Sequence, residues 1–240
     1  MGRKWTYQTY PTLVDYLDCP RLITTPPPNY KMTFAAWVQM PTDVQQASYG
    51  IWITYGAWLS AGVSTGGTQC NLSLYRGIFG DYQAVSPNYT TLGLGDFAGQ
   101  PVFIACSSNG TGISFFAGLT PSTIVPWGVD IYGPSWQVFT DVNSLIGATA
   151  GSVSQWYGTV SQAALWWGKQ LTLGELQDFA GSCSLKTPLT DLATFYYPIV
   201  GASPETDYSL GGNDAVVNGT TVVSSICIPR FGDELIAEFI

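Results

Sequence analysis

The sequence predicts an all-β domain of two packed antiparallel sheets with one short helix. Three observations predict it. Short runs rich in β-branched and aromatic residues occur nearly everywhere along the 240 residues. Gly, Asn and Pro punctuate them at close intervals, and no helical pattern of about 10–15 residues recurs between them, which excludes parallel α/β architectures. Sandwiches and barrels of about 200–250 residues routinely form one domain, so the length does not demand two.

Taken in order, the runs are 32–40 (MTFAAWVQM), 51–55 (IWITY), 71–75 (NLSLY), 101–106 (PVFIAC) and 113–119 (ISFFAGL). Then follow 136–142 (WQVFTDV), 160–167 (VSQAALWW), 194–199 (TFYYPI) and 215–223 (AVVNGTTVV). Gly66-Gly67, Pro87-Asn88, Asn109-Gly110, Gly133-Pro134, Gly211-Gly212 and Asn218-Gly219 supply turns. One helix has a start signal of its own. Thr172-Leu173-Gly174-Glu175 is a capping box, Leu171 and Leu176 stand at hydrophobic-staple positions, and Gly181 is placed to end it. The expected helix covers about 173–180, with a further helical turn possible within 184–192. Pro26-Pro27-Pro28 reads as a rigid loop before a strand. Residues 1–223 are expected to form the domain and 224–240 an extension.

Composition narrows function. Only 10% of residues are charged, against about 25% in ordinary domains, while aromatics reach 14%. Sparse charge with abundant Tyr and Trp favours a surface covered by partners, so repeated association is expected; the alternative is a surface made soluble by Ser and Thr. The net charge is −8, and the basic residues are scattered. Neither nucleic acid nor an anionic membrane surface suits such a chain. The N-terminus has a basic start without an apolar run, and no stretch approaches the roughly 20 apolar residues of a membrane span, so a soluble, unexported protein is expected.

The five cysteines, Cys19, Cys70, Cys106, Cys183 and Cys227, include no C-x-x-C pair, and an odd count leaves at least one thiol. Histidine is absent, which removes Ser-His-Asp and Cys-His catalysis and makes a tetrahedral zinc site unsupported. The cysteines read as small buried hydrophobes in a chain folded in a reducing cytoplasm. Gly93-Leu94-Gly95 and Gly66-Gly67 lack a following helix or P-loop lysine, so they read as turns.

Two stretches carry a resemblance. In "SLIGATAGSVSQWYGTVSQAALWWGKQLTLGELQDFAG", Gly158, Val160, Ala164, Trp166, Leu171, Thr172, Glu175 and Leu176 keep the order of a late hairpin followed by a capped helix. This resembles the concanavalin A-like (laminin G-like) domains, and the segment "YLDCPRLITTPPPNYKMTFAAWVQM" also resembles their opening. The closing segment "LATFYYPIVGASPETDYSLGGNDAVVNGTTVV" is similar to that of short free-standing members found in tailed-bacteriophage structural proteins. Tyr196, Tyr197, Pro198, Ser203, Pro204, Glu205, Asp207, Gly211, Gly212, Gly219, Thr220 and Val222 hold the matching places. The resemblance is dense only after residue 143.

It implies a two-sheet jelly-roll sandwich and a non-catalytic virion protein, foremost a capsid decoration (cement) subunit assembled in the host cytoplasm. Its partners would be further copies of itself and the major capsid protein. A tail receptor-binding protein that recognises host-surface glycans is the second reading, and a secreted or cellular carbohydrate-binding domain the third. The fold also hosts retaining glycosidases, which need two carboxyl groups about 5–5.5 Å apart. Their E-x-D-x-x-E strand is not matched: the E-x-D is Glu205-Thr206-Asp207, and Leu210 stands where the second glutamate belongs. No enzyme and no cofactor are therefore expected.

Remaining candidates each have two readings. Asp141, Asn143, Asn213 and Asp214 offer hard oxygen ligands for calcium, or simply shape turns, the commoner use of Asp and Asn. Trp127, Tyr132 and Trp136 lie in WGVDIYGPSW; exposed, they would stack on sugars or anchor a partner, and buried, they would cap the sandwich. The sequons at Asn71, Asn88, Asn109 and Asn218 would mark glycans only in an exported chain. The tail carries Ile226, Ile228, Phe231, Leu235, Ile236, Phe239 and Ile240, an apolar set expected to dock on its own domain or on a neighbour.

Overall fold

Side chains alternate between the faces of a strand, so a strand apolar at every position must be covered on both sides. Residues 34–38 (FAAWV) and 163–167 (AALWW) have that composition, and both belong to strands in the middle of a sheet. The computed structural model describes residues 2–5, 16–19, 23, 25, 27–39, 49–54, 57–63, 70–76, 83–85, 99–131, 144–147, 158–183, 186–199 and 201–223.

Among the described residues, fifteen strands form two antiparallel sheets. The first runs in the order β10 (Val125–Ile131), β9 (Gly112–Gly118), β8 (Pro101–Asn109), β3 (Lys31–Gln39), β12 (Gly158–Trp167), β1 (Gly2–Trp5), β15 (Thr221–Val223). β13 (Phe195–Tyr197) also pairs with β12, alongside residues 163–165. The second runs β14 (Val216–Asn218), β2 (Tyr16–Cys19), β11 (Ser144–Ile146), β4 (Tyr49–Thr54), β5 (Ala57–Val63), β6 (Cys70–Arg76), β7 (Gln83–Val85). The all-β expectation holds. The run at 215–223, read as one strand, is two: Asn218-Gly219-Thr220 turns the chain from β14 in the second sheet to β15 in the first. The run at 136–142 lies outside the described residues.

Alternation sorts the first sheet into two cores. Met32, Phe34, Ala36 and Val38 of β3 face the second sheet, where Leu17, Cys19 and Ile146 meet them. Ala35 and Trp37 face the other way, into a core completed by the helix α1 (Leu173–Ser182). β8 divides alike, with Val102, Ile104 and Cys106 on one side and Phe103 and Ala105 on the other. On β12 the parity changes. Val160 faces the inner core, but after a register shift between Ser161 and Ala164 the inner residues are Ala163 and Leu165. The bulge places Gln162 at φ 53°, left-handed for a non-glycine residue, and so turns Ala164 and Trp166 toward the helix.

α1 begins as its capping box predicts: the Glu175 amide donates to Thr172 Oγ1, and the Thr172 amide donates to Glu175 Oε2 at 2.8 Å. Leu176, Phe179 and Ala180 form its buried stripe. Phe179 sits edge-on against Trp166, Tyr196 and Phe103, with centroids 5.0, 5.7 and 6.1 Å away. Gly181 does not end the helix. It continues to Ser182, and Cys183 takes the left-handed cap position. The extra residues are held by the sheet: Trp37 Nε1 donates to Ala180 O, and Gln162 Nε2 donates to Phe179 O and to Ser182 Oγ. A second, four-residue helix, α2 (Pro188–Asp191), has its Leu189 carbonyl held by Trp166 Nε1.

The second core changes the meaning of the aromatic content. Trp37, Trp127, Trp166, Tyr196 and Tyr197 are all fully buried. Among the described residues these rings are core, shared between the two faces of the first sheet.

Candidate functional site

The closing segment, which carries the bacteriophage resemblance, is built around its acidic residues. β13 leads into a loop that returns through a single bridge between Glu205 and Ala215 to β14. Asp207 Oδ1 accepts from the amides of Tyr196 and Ser209, both at 2.9 Å, and Oδ2 accepts from the Asn213 amide at 3.0 Å. Asp214 Oδ1 accepts from the Asp207 amide, and Glu205 Oε1 accepts from the Gly201 amide, each at 2.9 Å. The Tyr197 hydroxyl donates to Asn213 O at 2.6 Å. Glu205 and Asp207 are buried. A loop with this many backbone amides away from water must find acceptors for them, and carboxylates accepting two or three amides do so strongly.

These bonds give the E-x-D sequence a structural occupation: its carboxylates turn inward to hold the chain. Asp214, one of the calcium candidates, likewise serves the loop, and Asn213 contributes its amide and carbonyl to the same turn. Among the described residues no group of three or more Cys, Asp or Glu is placed to hold a metal ion. Asp141 and Asn143 lie outside the described residues.

The glycan candidates separate. Trp127 does not lie in a loop: it belongs to β10, where a register shift between Pro126 and Gly128 turns it into the inner core at 1% exposure. Its exposed reading is corrected, because the bulge aims the indole inward. Tyr132 and Trp136 lie outside the described residues, as do Ile226, Ile228, Phe231, Leu235, Ile236 and Phe239 of the tail.

What the loop does expose was missed in the sequence. Tyr208 is 37% exposed with its ring edge-on to Tyr196, and Leu210 is 76% exposed. The signal was present as a large residue on either side of Ser209, just before Gly211-Gly212, in a loop pinned by its acids. Leu192, at 63%, follows α2 close to Thr194, whose carbonyl accepts from Ser209 Oγ.

No described thiol is poised as a nucleophile. Burial pushes the Cys106 thiol up to about 12, and burial raises Cys19 further still, against a hydrogen bond with Tyr197. Burial also raises the Tyr197 hydroxyl. Cys183 departs from the expectation of buried free thiols, since it is disulfide-bonded, whereas Cys19 and Cys106 are free.

No family profile matches the chain, and no curated protein gives a significant match. Among solved structures, the chain is similar to the CBM40 module of the Ruminococcus gnavus IT-sialidase bound to α2,3-sialyllactose. The identity is 12% over 74% of this chain and 94% of that one, with a TM-score of 0.48. It is also similar to the full-length tailspike protein 2 of an Escherichia coli O157:H7 bacteriophage, at 10% identity over 70% of this chain and 27% of that one, with a TM-score of 0.45.

Proposed function

We propose that this chain is a non-catalytic virion structural protein, a capsid decoration subunit with a lectin-like sandwich, whose partners are its own copies and the major capsid protein. The carrying observation is the closing segment. The residues that resemble free-standing bacteriophage domains form a tightly bonded loop, and both carboxylates of its E-x-D sequence are buried on backbone amides. A buried carboxylate engaged with backbone amides favours a structural use over a catalytic one. A particle map tests the reading. A decoration subunit occupies many equivalent positions over the capsid; density confined to the tail would sink it.

A second reading, adhesion to host-surface glycans from the tail, is favoured by the exposed Tyr208 ring. A partly exposed aromatic ring suits a sugar face. Glycan-array binding that disappears in Tyr208→Ala, with the fold intact, would select this reading. The Cys183 disulfide and the exposed sequon Asn109 at the β8–β9 turn support the secreted carbohydrate-binding domain as the third.

A further inference from the structure

We infer that Asn109 is a self-modifying site: its side-chain amide is lost spontaneously to attack by the Gly110 nitrogen, leaving a carboxylate at the tip of the β8–β9 hairpin. The chemistry is independent of both the capsid and the glycan readings. The tripeptide Asn-Gly-Thr occurs twice, at Asn109 and at Asn218. A glycine after asparagine leaves the next amide nitrogen unshielded by a Cβ, so both copies start with the same intrinsic reactivity. Their surroundings separate them.

Asn109 ends β8 and is exposed at the turn into β9. Its Oδ1 accepts from the Thr111 amide at 2.8 Å, the Thr111 hydroxyl at 3.0 Å and the Gly112 amide at 2.8 Å. All three donors lie ahead of it in the chain, so the side chain folds forward over the 109–110 peptide and brings Cγ toward the Gly110 nitrogen. The same donors meet the negative charge that collects on Oδ1 when that nitrogen adds, as an oxyanion hole does. The Gly110 N–H is turned aside onto Ser108 Oγ at 3.2 Å. The register sets the exposed Lys31 across from Asn109, and paired residues share a face, so a cation flanks the carboxylate that results. Asn218 is placed differently. It is half-buried, and its turn is closed through the main chain, the Thr220 amide donating to Asn218 O at 2.8 Å. Among the described residues nothing donates to Asn218 Oδ1.

In the reaction the Gly110 nitrogen gives its proton to water or hydroxide and bonds to Asn109 Cγ. The Cγ–Nδ2 bond breaks, and Nδ2 leaves with a proton from water as ammonia. The cyclic succinimide so formed is opened by water. Cleavage between the Gly110 nitrogen and Cγ gives aspartate; cleavage between that nitrogen and the Asn109 main-chain carbonyl gives isoaspartate. Water is the co-reactant, and no electrons are transferred. In the aspartate product the three donors meet a full charge and hold the turn more strongly. In isoaspartate the chain gains one carbon at this point, and the donors lose the side-chain acceptor they share. Either product adds one negative charge to a chain whose net charge is −8.

The test uses the full chain, incubated folded in mildly alkaline buffer and, in parallel, in concentrated urea. Peptide mapping by mass spectrometry reads amide loss at each site, and electron-transfer fragmentation separates aspartate from isoaspartate. In urea the two sites should convert at similar rates. In the folded chain Asn109 should convert roughly tenfold faster than Asn218, a factor within reach of one charge-assisted hydrogen bond to the forming oxyanion. It should also convert faster folded than in urea. Thr111→Val removes one of the three donors at an exposed position and should slow Asn109 severalfold while leaving Asn218 unchanged. Donors that merely restrain the side chain predict the opposite sign, since a released asparagine would react more freely. Asn109 slower folded than in urea, level with Asn218 in the folded chain, or no slower in Thr111→Val overturns the assignment.

Discussion

Replacing Asp207 with alanine isolates the chemistry that holds the closing segment. The side chain accepts three backbone amides at 2.9–3.0 Å, one of them in the central strand pair β12–β13 through Tyr196. Alanine leaves those donors without acceptors. Each buried orphan costs about 1–3 kcal/mol, but the Asn213 amide, nearer solvent, regains water, so the expected total is about 3–5 kcal/mol. Asp207→Asn should cost about half as much, because its remaining oxygen still serves Tyr196 and Ser209 while its NH₂ faces the Asn213 amide as a second donor. At about 2–4 °C per kcal/mol for a chain of this length, the alanine variant should melt about 10 °C lower. Urea denaturation followed by tryptophan fluorescence measures the difference, with the slope m unchanged if both variants unfold in the same way. A loss below about 1 kcal/mol in Asp207→Ala would show that those amides are satisfied without the carboxylate, and the account of the loop would fall.

Four further outcomes are expected. Gln162→Leu removes the donor to Phe179 O and Ser182 Oγ, and denaturant titration should show about 2–4 kcal/mol lost, with the α1 amides exchanging faster. Burial alone would raise the Glu175 carboxyl, but the Thr172 amide and Lys169 outweigh it and hold it below its usual range. Its stabilisation is therefore present above the unfolded pKa of about 4.3 and lost as pH falls through the lower folded value, so the gap between wild type and Glu175→Gln, a few tenths of a kcal/mol for an exposed pair, should close below about pH 4. Purified protein should turn over no polysaccharide; hydrolysis that vanishes in Glu205→Gln would contradict the structural role of that buried carboxylate. Truncation after Val223 should abolish assembly in sizing and particle-binding assays; unaltered assembly would reduce the tail to a flap.

Local chemistry made part of this protein legible. The capping box Thr172–Glu175 names the start of α1 because its hydrogen bonds close within one turn, and turn residues separate strands wherever the backbone must reverse. The match of the closing segment also pointed to the loop that holds the candidate site. Other properties exist only between distant elements. The bulge at Gln162 switches which side of β12 faces the helix, and no alternation count foresees it, since the extra residue is stabilised by carbonyls at 179 and a hydroxyl at 182. Trp127 is buried because a second bulge turns it inward, while Tyr208 is exposed because Asp207 holds its loop closed beneath it. Residues 215–223 look like one strand, yet their two halves join different sheets, because each finds its partner, β2 or β1, on a different layer. Sequence determines what each segment can be; which face it buries depends on what the rest of the chain places against it, and only the tertiary structure decides that.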